Sequence, residues 1–290
     1  MIRVLTAIHE ASLQRVVLEN GLEFHYLEEG AGAPLILLHG VLGDWSSWAH
    51  QWPLFTPHFR TISYSRRYNW PNQNSHPQND HSALIEAEDL SQLMEVWKTG
   101  PAVLVGASYG AYTALALAVK YPEKVRGLVL IEPPMLRWAE LSEAGNKARQ
   151  SFEQDVRLPA LAAFQNGQTE LGVHILTGGI VGDQLMQKLP AAVMQKRLDN
   201  AKSIEMLTLS IDEFPWISPE QVQSISVPVL LMSGQQTPQI HETVFTNLSS
   251  CMPQAISVRV PNSGHAVSRD NPEEFNRLAE TFLRSHQLWG

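Results

Sequence analysis

A strand-like run of apolar residues ends abruptly in a glycine-flanked serine at residues 103–118, VLVGASYGAYTALALA. The run has the length and composition of a buried β-strand, and the Ala- and Leu-rich stretch after it is typical of an α-helix. A chain that passes directly from strand to helix through Gly106-Ala107-Ser108-Tyr109-Gly110 must turn sharply. The two flanking glycines, two positions before and after the serine, therefore need to lack side-chain bulk. The pattern therefore predicts that Ser108 lies at the carboxyl end of a strand, beside the positive end of a helix.

Strand and helix signals alternate along much of the chain. Eight segments read as strands, at residues 15–19, 22–28, 34–40, 59–65, 102–108, 125–132, 228–234 and 256–261. The middle ones are continuous Val, Leu and Ile runs, as expected for strands buried on both faces of a parallel sheet. The first two alternate polar and apolar residues, and the turn Glu19-Asn20-Gly21 is typical of an antiparallel hairpin. With helical patterns at 83–97, 111–122 and 271–286, the alternation predicts a doubly wound α/β fold with a mostly parallel, eight-stranded sheet.

The stretch from 133 to 222 interrupts this alternation. It opens with Pro133-Pro134, contains amphipathic pieces at 142–156 and 189–207, and has no convincing strand. We therefore expect a helical insertion above the strand ends, with residues 133–222 as a lid and residues 1–132 and 223–290 as the core domain.

Composition excludes several classes of partner. The formal net charge is −8 and the chain has no Lys/Arg cluster, so neither nucleic acid nor an anionic membrane surface is expected as a partner. The single cysteine, Cys251, rules out an internal disulfide and fits a reducing compartment. The first twelve residues lack the apolar stretch of a signal peptide, and no window approaches the roughly 18 apolar residues of a membrane span. We expect a cytoplasmic protein that acts on a small molecule; its oligomeric state is open.

One of the 11 histidines stands where a catalytic base is needed. His265 lies in the Gly-containing loop VPNSGHAVSRDNP, between the last strand and the last helix, and it follows Ser108 in chain order. His39 precedes Gly40 in a turn next to the core, which favours a structural, hydrogen-bonded role. Six other histidines have no matching context and are expected at the surface, namely His58, His76, His81, His174, His241 and His286.

Three motifs at these spacings resemble the α/β-hydrolase fold superfamily: HGVLGD at 39–44, GASYGA at 106–111 and NSGH at 262–265. The resemblance covers about 1–132 and 223–290, and residues 133–222 stand where that superfamily carries its lid. These motifs are specific for the fold but weak on substrate, because one architecture supports many reactions.

The resemblance implies roles for individual residues. Ser108 would be the nucleophile and His265 the general base. The loop after the strand at 34–40 can direct a backbone N–H at the space over Ser108, so the N–H groups of Val41 and Tyr109 would form the oxyanion hole.

The acid of the triad is missing from its usual place. In that superfamily it typically ends a Gly-x-x-Asp turn after the seventh strand, but in this chain the turn is Gly234-Gln235-Gln236-Thr237. Threonine cannot stabilise an imidazolium by charge. Glu132 follows the sixth strand, where some members of the superfamily place the acid, so we predict that Glu132 takes this role. The alternatives are that Glu132 is a buried structural carboxylate, or that the acid is Glu242, which is expected inside a helix and facing away.

These residues predict a serine hydrolase that cleaves a carboxylic ester or lactone of a small, apolar molecule through an acyl-enzyme. No metal and no cofactor are expected, because the sequence has no Cys/His ligand cluster. A C–C bond hydrolase or lyase acting on a ketone, and a non-catalytic small-ligand receptor on the same fold, are the alternatives. Trp45, Trp70 and Trp138 are candidates for the walls of the substrate pocket. Arg66 and Arg67 fit structural salt bridges better than a site for an acidic substrate.

Overall fold

A central sheet organises the chain, whose computed structural model describes residues 13–75 and 80–290. The strands are β1 Gln14–Val17, β2 Glu23–Glu29, β3 Pro34–Leu38, β4 Arg60–Tyr64, β5 Ala102–Ala107, β6 Val125–Ile131, β7 Val229–Gly234 and β8 Ile256–Val260. Their order is β1-β2-β4-β3-β5-β6-β7-β8. The β1/β2 and β2/β4 pairs are antiparallel and the others are parallel, which confirms the predicted sheet and its hairpin. The predictions about the first twelve residues and about His76 lie outside the described residues.

The central strands are buried on both faces, as their continuous apolar sequences require. Alternate residues of β5 and β6 point to opposite sides, with Leu104 and Leu128 in one cluster and Val103 and Val129 in the other. All four side chains are fully buried. Burying each such side chain contributes about 1.5–3 kcal/mol, so the two packed faces fix the positions of the strand ends.

Helices cover both faces of the sheet. They are α1 Trp52–Phe55, α2 Ala83–Trp97, α3 Tyr109–Lys120, α4 Glu143–Phe152, α5 Leu158–Gln165, α6 Thr169–Val181, α7 Asp183–Met186, α8 Ala191–Asp199, α9 Ala201–Thr208, α10 Pro219–Gln223, α11 Gln239–Cys251, α12 Val267–Asp270 and α13 Pro272–Ser285. Leu90, Leu93, Met94 and Trp97 form a buried apolar stripe on α2, and Asn271 caps α13 by accepting the N–H of Glu274 at 3.3 Å. None of the helices in the two described ranges combines the length and apolarity needed to span a bilayer.

The segment between β6 and β7 is helical, as its sequence indicates. It runs from a 3₁₀ turn at Leu136–Leu141 through α4 to α9, with a π-helical turn at Glu153–Arg157, and no strand occurs in its described residues. Its apolar side chains, such as Leu176 and Ile204, join the core cluster that also contains α2 and α3. The division into a core domain and a lid remains a prediction.

The turn at Ser108 shows why glycine is needed on both sides. Ser108 has φ 52° and ψ −122°, a strained combination for a residue with a side chain. A Cβ on Gly106 would lie 2.7 Å from the Cα of Ala111, and one on Gly110 would lie 2.4 Å from the carbonyl oxygen of Leu38. Both contacts are with backbone, so α3 can approach β5 and the end of β3 this closely only through glycine.

Gly110→Ala is expected to destabilise the protein by about 2 kcal/mol, because the added methyl must push β3 and α3 apart. Urea unfolding followed by circular dichroism would measure the change in the free energy of unfolding. Helix propensity alone predicts the opposite sign, a gain of about 0.5–1 kcal/mol. A stabilised variant would therefore contradict the close packing of α3 against the end of β3.

Candidate active site

Backbone hydrogen bonds at the carboxyl ends of three neighbouring strands bring two of the predicted residues together. The Ser108 N–H donates to the carbonyl of Ile131 at 2.8 Å, one residue beyond the end of β5. The Glu132 N–H donates to the carbonyl of Met232 in β7 at 3.1 Å. Glu132 has φ 42°, a left-handed conformation that turns the chain as it leaves β6. Ser108 and Glu132 thus lie at the same edge of the sheet.

Glu132 contacts His265 directly. The Nδ1 atom of His265 lies 2.5 Å from Oε2 of Glu132, and both residues are buried. This pair joins residues that are far apart in sequence, one after β6 and the other in the loop after β8. Glu242, the alternative acid, pairs instead with Arg259 at the partly exposed surface, with 2.5 Å between Oε1 and Nη2.

The turn that lacks an acid supplies hydrogen-bond donors to Glu132. Its Oε1 atom accepts the Ser233 hydroxyl at 2.6 Å and the Gly234 N–H at 2.8 Å. The Thr237 hydroxyl donates to Oε2 at 2.8 Å. Thr237, which stands where an aspartate is expected from the sequence, therefore holds the carboxylate that contacts the histidine.

These contacts keep Glu132 ionised. Burial alone would raise the pKa of its carboxyl group, but the hydrogen bond and charge of His265, together with His241 and the Ser233 hydroxyl, lower the pKa below its ordinary value. A buried carboxylate with these partners is a fixed negative charge beside the imidazole.

The carboxylate fixes the tautomer of His265. Because an ionised carboxylate can only accept, Nδ1 must carry the ring proton of the neutral imidazole. The other nitrogen, Nε2, is buried and makes no hydrogen bond to any residue in the described ranges, Ser108 included. It therefore has a free lone pair that can accept a proton.

Two unpaired backbone N–H groups accompany Ser108. Val41 and Tyr109 line the same pocket as Ser108, and within the described ranges neither backbone N–H donates a hydrogen bond. Tyr109 is the first residue of α3, so its N–H also lies at the positive end of a helix. Such a pair can bind a negatively charged oxygen.

His39 has a structural role in the loop that presents Val41. Its Nδ1 atom donates to the carbonyl of Gly40 at 2.7 Å, and its Nε2 atom accepts the N–H of Arg66 at 3.0 Å. Burial and the charge of Arg66 lower the pKa of His39 to about 3, so it stays neutral. The Asn69 amide also donates to the carbonyl of Val41, at 2.8 Å.

His241 is a site residue that sequence reasoning missed. Its ring stacks on that of His265, with 4.1 Å between centroids and 25° between planes. The expectation that it lies at the surface is wrong, because only 4% of its surface is exposed. A helical pattern in the sequence could have shown this, because the buried positions of α11 are 240, 241, 243, 244, 245 and 248, a stripe that includes this histidine. His81, also expected at the surface, is buried beside Glu86.

The pocket beside Ser108 encloses about 410 Å³, part of it continuous with solvent. Its lining is mostly apolar and consists of Val41, Ser108, Tyr109, Pro134, Leu136, Phe152, Leu176, Ile180, Ile204, Leu207, Glu213, Phe214 and His241. Within the described chain the lining contains no Lys or Arg. Side chains from the strand ends and from the helical insertion therefore enclose the serine together.

The structure does not bring the three candidate tryptophans to this pocket. Trp45 packs in the cluster on the opposite face of the sheet. Trp70 is half exposed, and Trp138 is buried, with its indole N–H donating to the carbonyl of Ile217 at 2.8 Å. Aliphatic residues and Phe form the walls instead.

The two candidate arginines make structural ion pairs. Arg66 is buried against Glu86, and Arg67 forms two hydrogen bonds with Asp89, at 2.6 and 2.7 Å. Neither arginine lines the pocket. Both pairs tie the loop after β4 to helix α2.

Glu132, His241 and His265 also form a group of potential metal ligands, because one ligand atom of each lies within 4.8 Å of the others. No sequence motif predicts this cluster, because its members are far apart in the chain. A metal bound between Glu132 and Nδ1 would have to displace the proton of their hydrogen bond. The carboxylate already accepts three other hydrogen bonds, so the observed geometry suits a proton better than a metal ion.

Comparisons with known proteins agree with this architecture. Residues 33–272 match the sequence model of a family described as alpha/beta hydrolase fold. The 2-hydroxy-6-oxononadienedioate/2-hydroxy-6-oxononatrienedioate hydrolase of Burkholderia vietnamiensis is 25% identical over 92% of this chain and 94% of its own length. An sn-1-specific diacylglycerol lipase of Mus musculus is 25% identical over 90% of this chain and 85% of its own. The carboxylesterase CesB of Bacillus subtilis superposes with a TM-score of 0.71 at 20% identity, covering 97% of this chain and 95% of that one.

The buried, neutral state of His241 makes stability depend on pH. Burial, followed by repulsion from His265, lowers the pKa of His241 to about 3 in the folded protein, against an ordinary value of about 6.5. Between these two values the unfolded chain binds more protons than the folded one. The free energy of unfolding therefore falls as the pH drops through this range.

His241→Gln is expected to remove this part of the acid sensitivity. Between about pH 7 and pH 5, the variant should lose about 2 kcal/mol less stability than the wild-type protein. Urea unfolding at a series of pH values would measure the difference. His174→Gln, on the partly exposed side of α6, is the control and should leave the pH dependence unchanged. Parallel curves for His241→Gln and wild type would refute the buried neutral state.

Proposed function

Because the chain belongs to the alpha/beta hydrolase fold family, we propose that it is a serine hydrolase cleaving a carboxylic ester or lactone of a small, largely apolar molecule. Its catalytic triad is Ser108, His265 and Glu132. The observation that carries this proposal is the 2.5 Å contact between Oε2 of Glu132 and Nδ1 of His265, both buried at the strand edge where Ser108 lies. Relatives that are themselves named hydrolases support hydrolytic activity in general.

Acylation is the first step of the proposed reaction. Nε2 of His265 takes the proton of the Ser108 hydroxyl while Oγ forms a bond to the substrate carbonyl carbon. The carbonyl oxygen gains the negative charge and accepts hydrogen bonds from the N–H groups of Val41 and Tyr109. When the tetrahedral intermediate collapses, the bond to the leaving alcohol breaks and the alcohol oxygen receives the proton from Nε2. The acyl group is then esterified to Ser108.

Deacylation repeats the sequence with water. Nε2 removes a proton from the water as its oxygen attacks the acyl carbon, and the proton then passes to Oγ as the carboxylic acid leaves. In both steps His265 becomes positively charged for a short time. Ionised Glu132 stabilises that charge, and neutral His241, stacked on the ring, adds no repulsion.

The pocket lining favours an apolar ester over the dianionic substrate in the name of the Burkholderia relative. A dienedioate carries two carboxylates, which proteins usually bind with Arg or Lys. Among the described residues, the lining of the pocket beside Ser108 contains neither, and its one acidic side chain, Glu213, would repel a carboxylate. Because the lining lacks a cation for such a substrate, we place the C–C bond hydrolase second to an ester or lactone hydrolase.

We also propose that residues 133–222 form a lid over a core domain made of residues 1–132 and 223–290. Leu176, Ile180, Ile204 and Leu207 of this segment line the pocket that contains Ser108. A lid of this kind would exclude water from the acyl-enzyme and shape the space for the substrate.

Hydrolysis of p-nitrophenyl acetate and p-nitrophenyl butyrate by wild type and Ser108→Ala tests the activity. The variant is expected to lose about a thousandfold or more in kcat, because the nucleophile is gone. Equal rates for the two proteins would remove support for the esterase proposal. If wild type shows no turnover but binds esters saturably, the receptor alternative is favoured.

The acid is tested by Glu132→Gln. This change preserves the shape of the side chain but removes the charge, so kcat is expected to fall by about a thousandfold or more while the fold is retained. Glu242→Gln, which alters a surface ion pair with Arg259, is the matched control and should change kcat little. The reverse pattern would assign the acid to α11.

A second comparison tests whether a carboxylate supplied from the turn after β7 can replace that of Glu132. Thr237 lies 2.8 Å from the carboxylate of Glu132, so an aspartate at position 237 can approach the same imidazole. Glu132→Ala combined with Thr237→Asp should recover at least about tenfold of the kcat that Glu132→Ala alone loses. If both variants are folded and the double variant is no faster than Glu132→Ala, a carboxylate at position 237 cannot take over the role of Glu132. That result would contradict the idea that the acid can stand at the end of either strand.

A further inference from the structure

An acidic side chain enters the pocket from the end of the helical insertion. Glu213 lines the pocket that contains Ser108, and only 6% of its surface is exposed. In the described residues it is the only acidic side chain of a lining that is otherwise apolar except for Ser108, Tyr109 and His241. The proposed triad does not use it.

Hydrogen bonds from core aromatic side chains hold the backbone around Glu213. The Tyr109 hydroxyl donates to the carbonyl of Glu213 at 2.8 Å, and the Tyr112 hydroxyl donates to that of Pro215. The Trp138 indole donates to the carbonyl of Ile217 at 2.8 Å. Because Tyr109 is also the residue after the serine, the position of Glu213 is tied to the turn that carries the nucleophile.

Only one oxygen of the Glu213 carboxylate is paired within the described ranges. Oε2 accepts Nε of Arg157 at 3.0 Å, and Arg157 also contacts Glu153 at 2.9 Å. No donor from the described residues reaches Oε1. Burial, opposed by Arg157, raises the pKa of Glu213 to about 7. Because no donor from the described residues occupies Oε1, a donor on a ligand in this pocket can pair with it without displacing a protein group.

We propose that Oε1 of Glu213 selects substrates that carry a neutral hydrogen-bond donor, a hydroxyl or an amide N–H, separated by an apolar segment from the carbonyl that Ser108 attacks. Glu213 is then a specificity-determining residue in the part of the pocket wall that the helical insertion contributes. This inference rests on the proposed hydrolase function, because Ser108 defines the other end of the substrate.

Charge around Glu213 favours a neutral donor. Arg157 already compensates the carboxylate, and the remaining lining offers no second anion among the described residues. An ammonium group would therefore enter an apolar pocket beside a guanidinium and lose its hydration without a free counter-ion. A carboxylate would be repelled by Glu213 above about pH 7, where this side chain is ionised. A hydroxyl or amide N–H satisfies Oε1 without bringing a net charge into the pocket.

The test compares p-nitrophenyl ω-hydroxyalkanoates with unsubstituted esters in which a methyl group replaces the hydroxyl, over a series of chain lengths. At the optimal length and at about pH 8.5, where Glu213 is ionised because its pKa is about 7, wild type should prefer the hydroxy ester by about tenfold in kcat/KM, as expected for a hydrogen bond to a charged group. Glu213→Leu should abolish this preference, and Glu213→Gln, which keeps an acceptor oxygen, should retain part of it. The ratio is unaffected by a general loss of active protein.

Glu153→Gln is the matched control. It removes the other carboxylate that contacts Arg157 but does not touch the pocket, so the preference for the hydroxy ester should persist. A Glu153→Gln variant that loses the preference as completely as Glu213→Leu would assign the effect to the ion-pair network and overturn the specific role of Oε1.

Failure of this inference can be distinguished from failure of the proposed function. Ser108-dependent turnover with equal kcat/KM for hydroxy and unsubstituted esters, in wild type and Glu213→Leu alike, overturns only the role of Glu213. If no ester is turned over, calorimetry with Ser108→Ala and the corresponding methyl esters provides a readout that needs no catalysis. Tighter binding of the hydroxy ester, lost on adding Glu213→Leu, supports the inference, and equal affinities overturn it.

Discussion

The contact between Glu132 and His265 is the interaction on which the candidate site depends. An unpaired carboxylate at this depth would cost several kcal/mol, so its burial requires the four hydrogen bonds that it accepts. Three of them come from the end of β7 and the turn after it. In the proposed triad the acid therefore follows β6, and the end of β7 and the turn after it supply hydrogen bonds to its carboxylate.

Charge at this site is controlled by keeping neighbouring groups neutral. His39 and His241 are both buried with pKa values near 3, one in the loop that presents Val41 and the other stacked on the ring of His265. Two cationic imidazoles at these positions would oppose the positive charge that His265 acquires in the proposed reaction. Burial thus contributes to the proposed chemistry as well as to packing, at the expense of stability in acid.

The parts of the structure that were predictable are those that local sequence determines. Strand runs such as 102–108 specify the sheet because their side chains must be buried on both faces. Gly106 and Gly110 indicate the turn at Ser108 because a Cβ at either position would meet backbone. The role of Glu132 was predicted from the resemblance, because the turn after β7 lacks an acid and some members of the superfamily place it after the sixth strand.

The parts that were missed depend on long-range packing. The helices of the insertion meet the core through apolar side chains without a motif, so no local pattern places Glu213 near Tyr109, 104 positions away. Trp45 and Trp138 are large apolar residues of the kind that line pockets, so sequence alone could not exclude them. The folded chain shows that they pack in the core clusters instead. His241 lay on a readable helical stripe, but its stacking on His265 required the register of α11 against the last loop.

Nitrogen NMR of the protein labelled in its histidine rings would examine the central contact directly. With the His265 signals assigned by their loss in His265→Asn, its neutral ring should carry the proton on Nδ1 and leave Nε2 bare, and Glu132→Gln should disturb that preference. A neutral His265 ring with its proton on Nε2 would mean that Glu132 does not orient the base, and it would contradict a triad built on Ser108, His265 and Glu132.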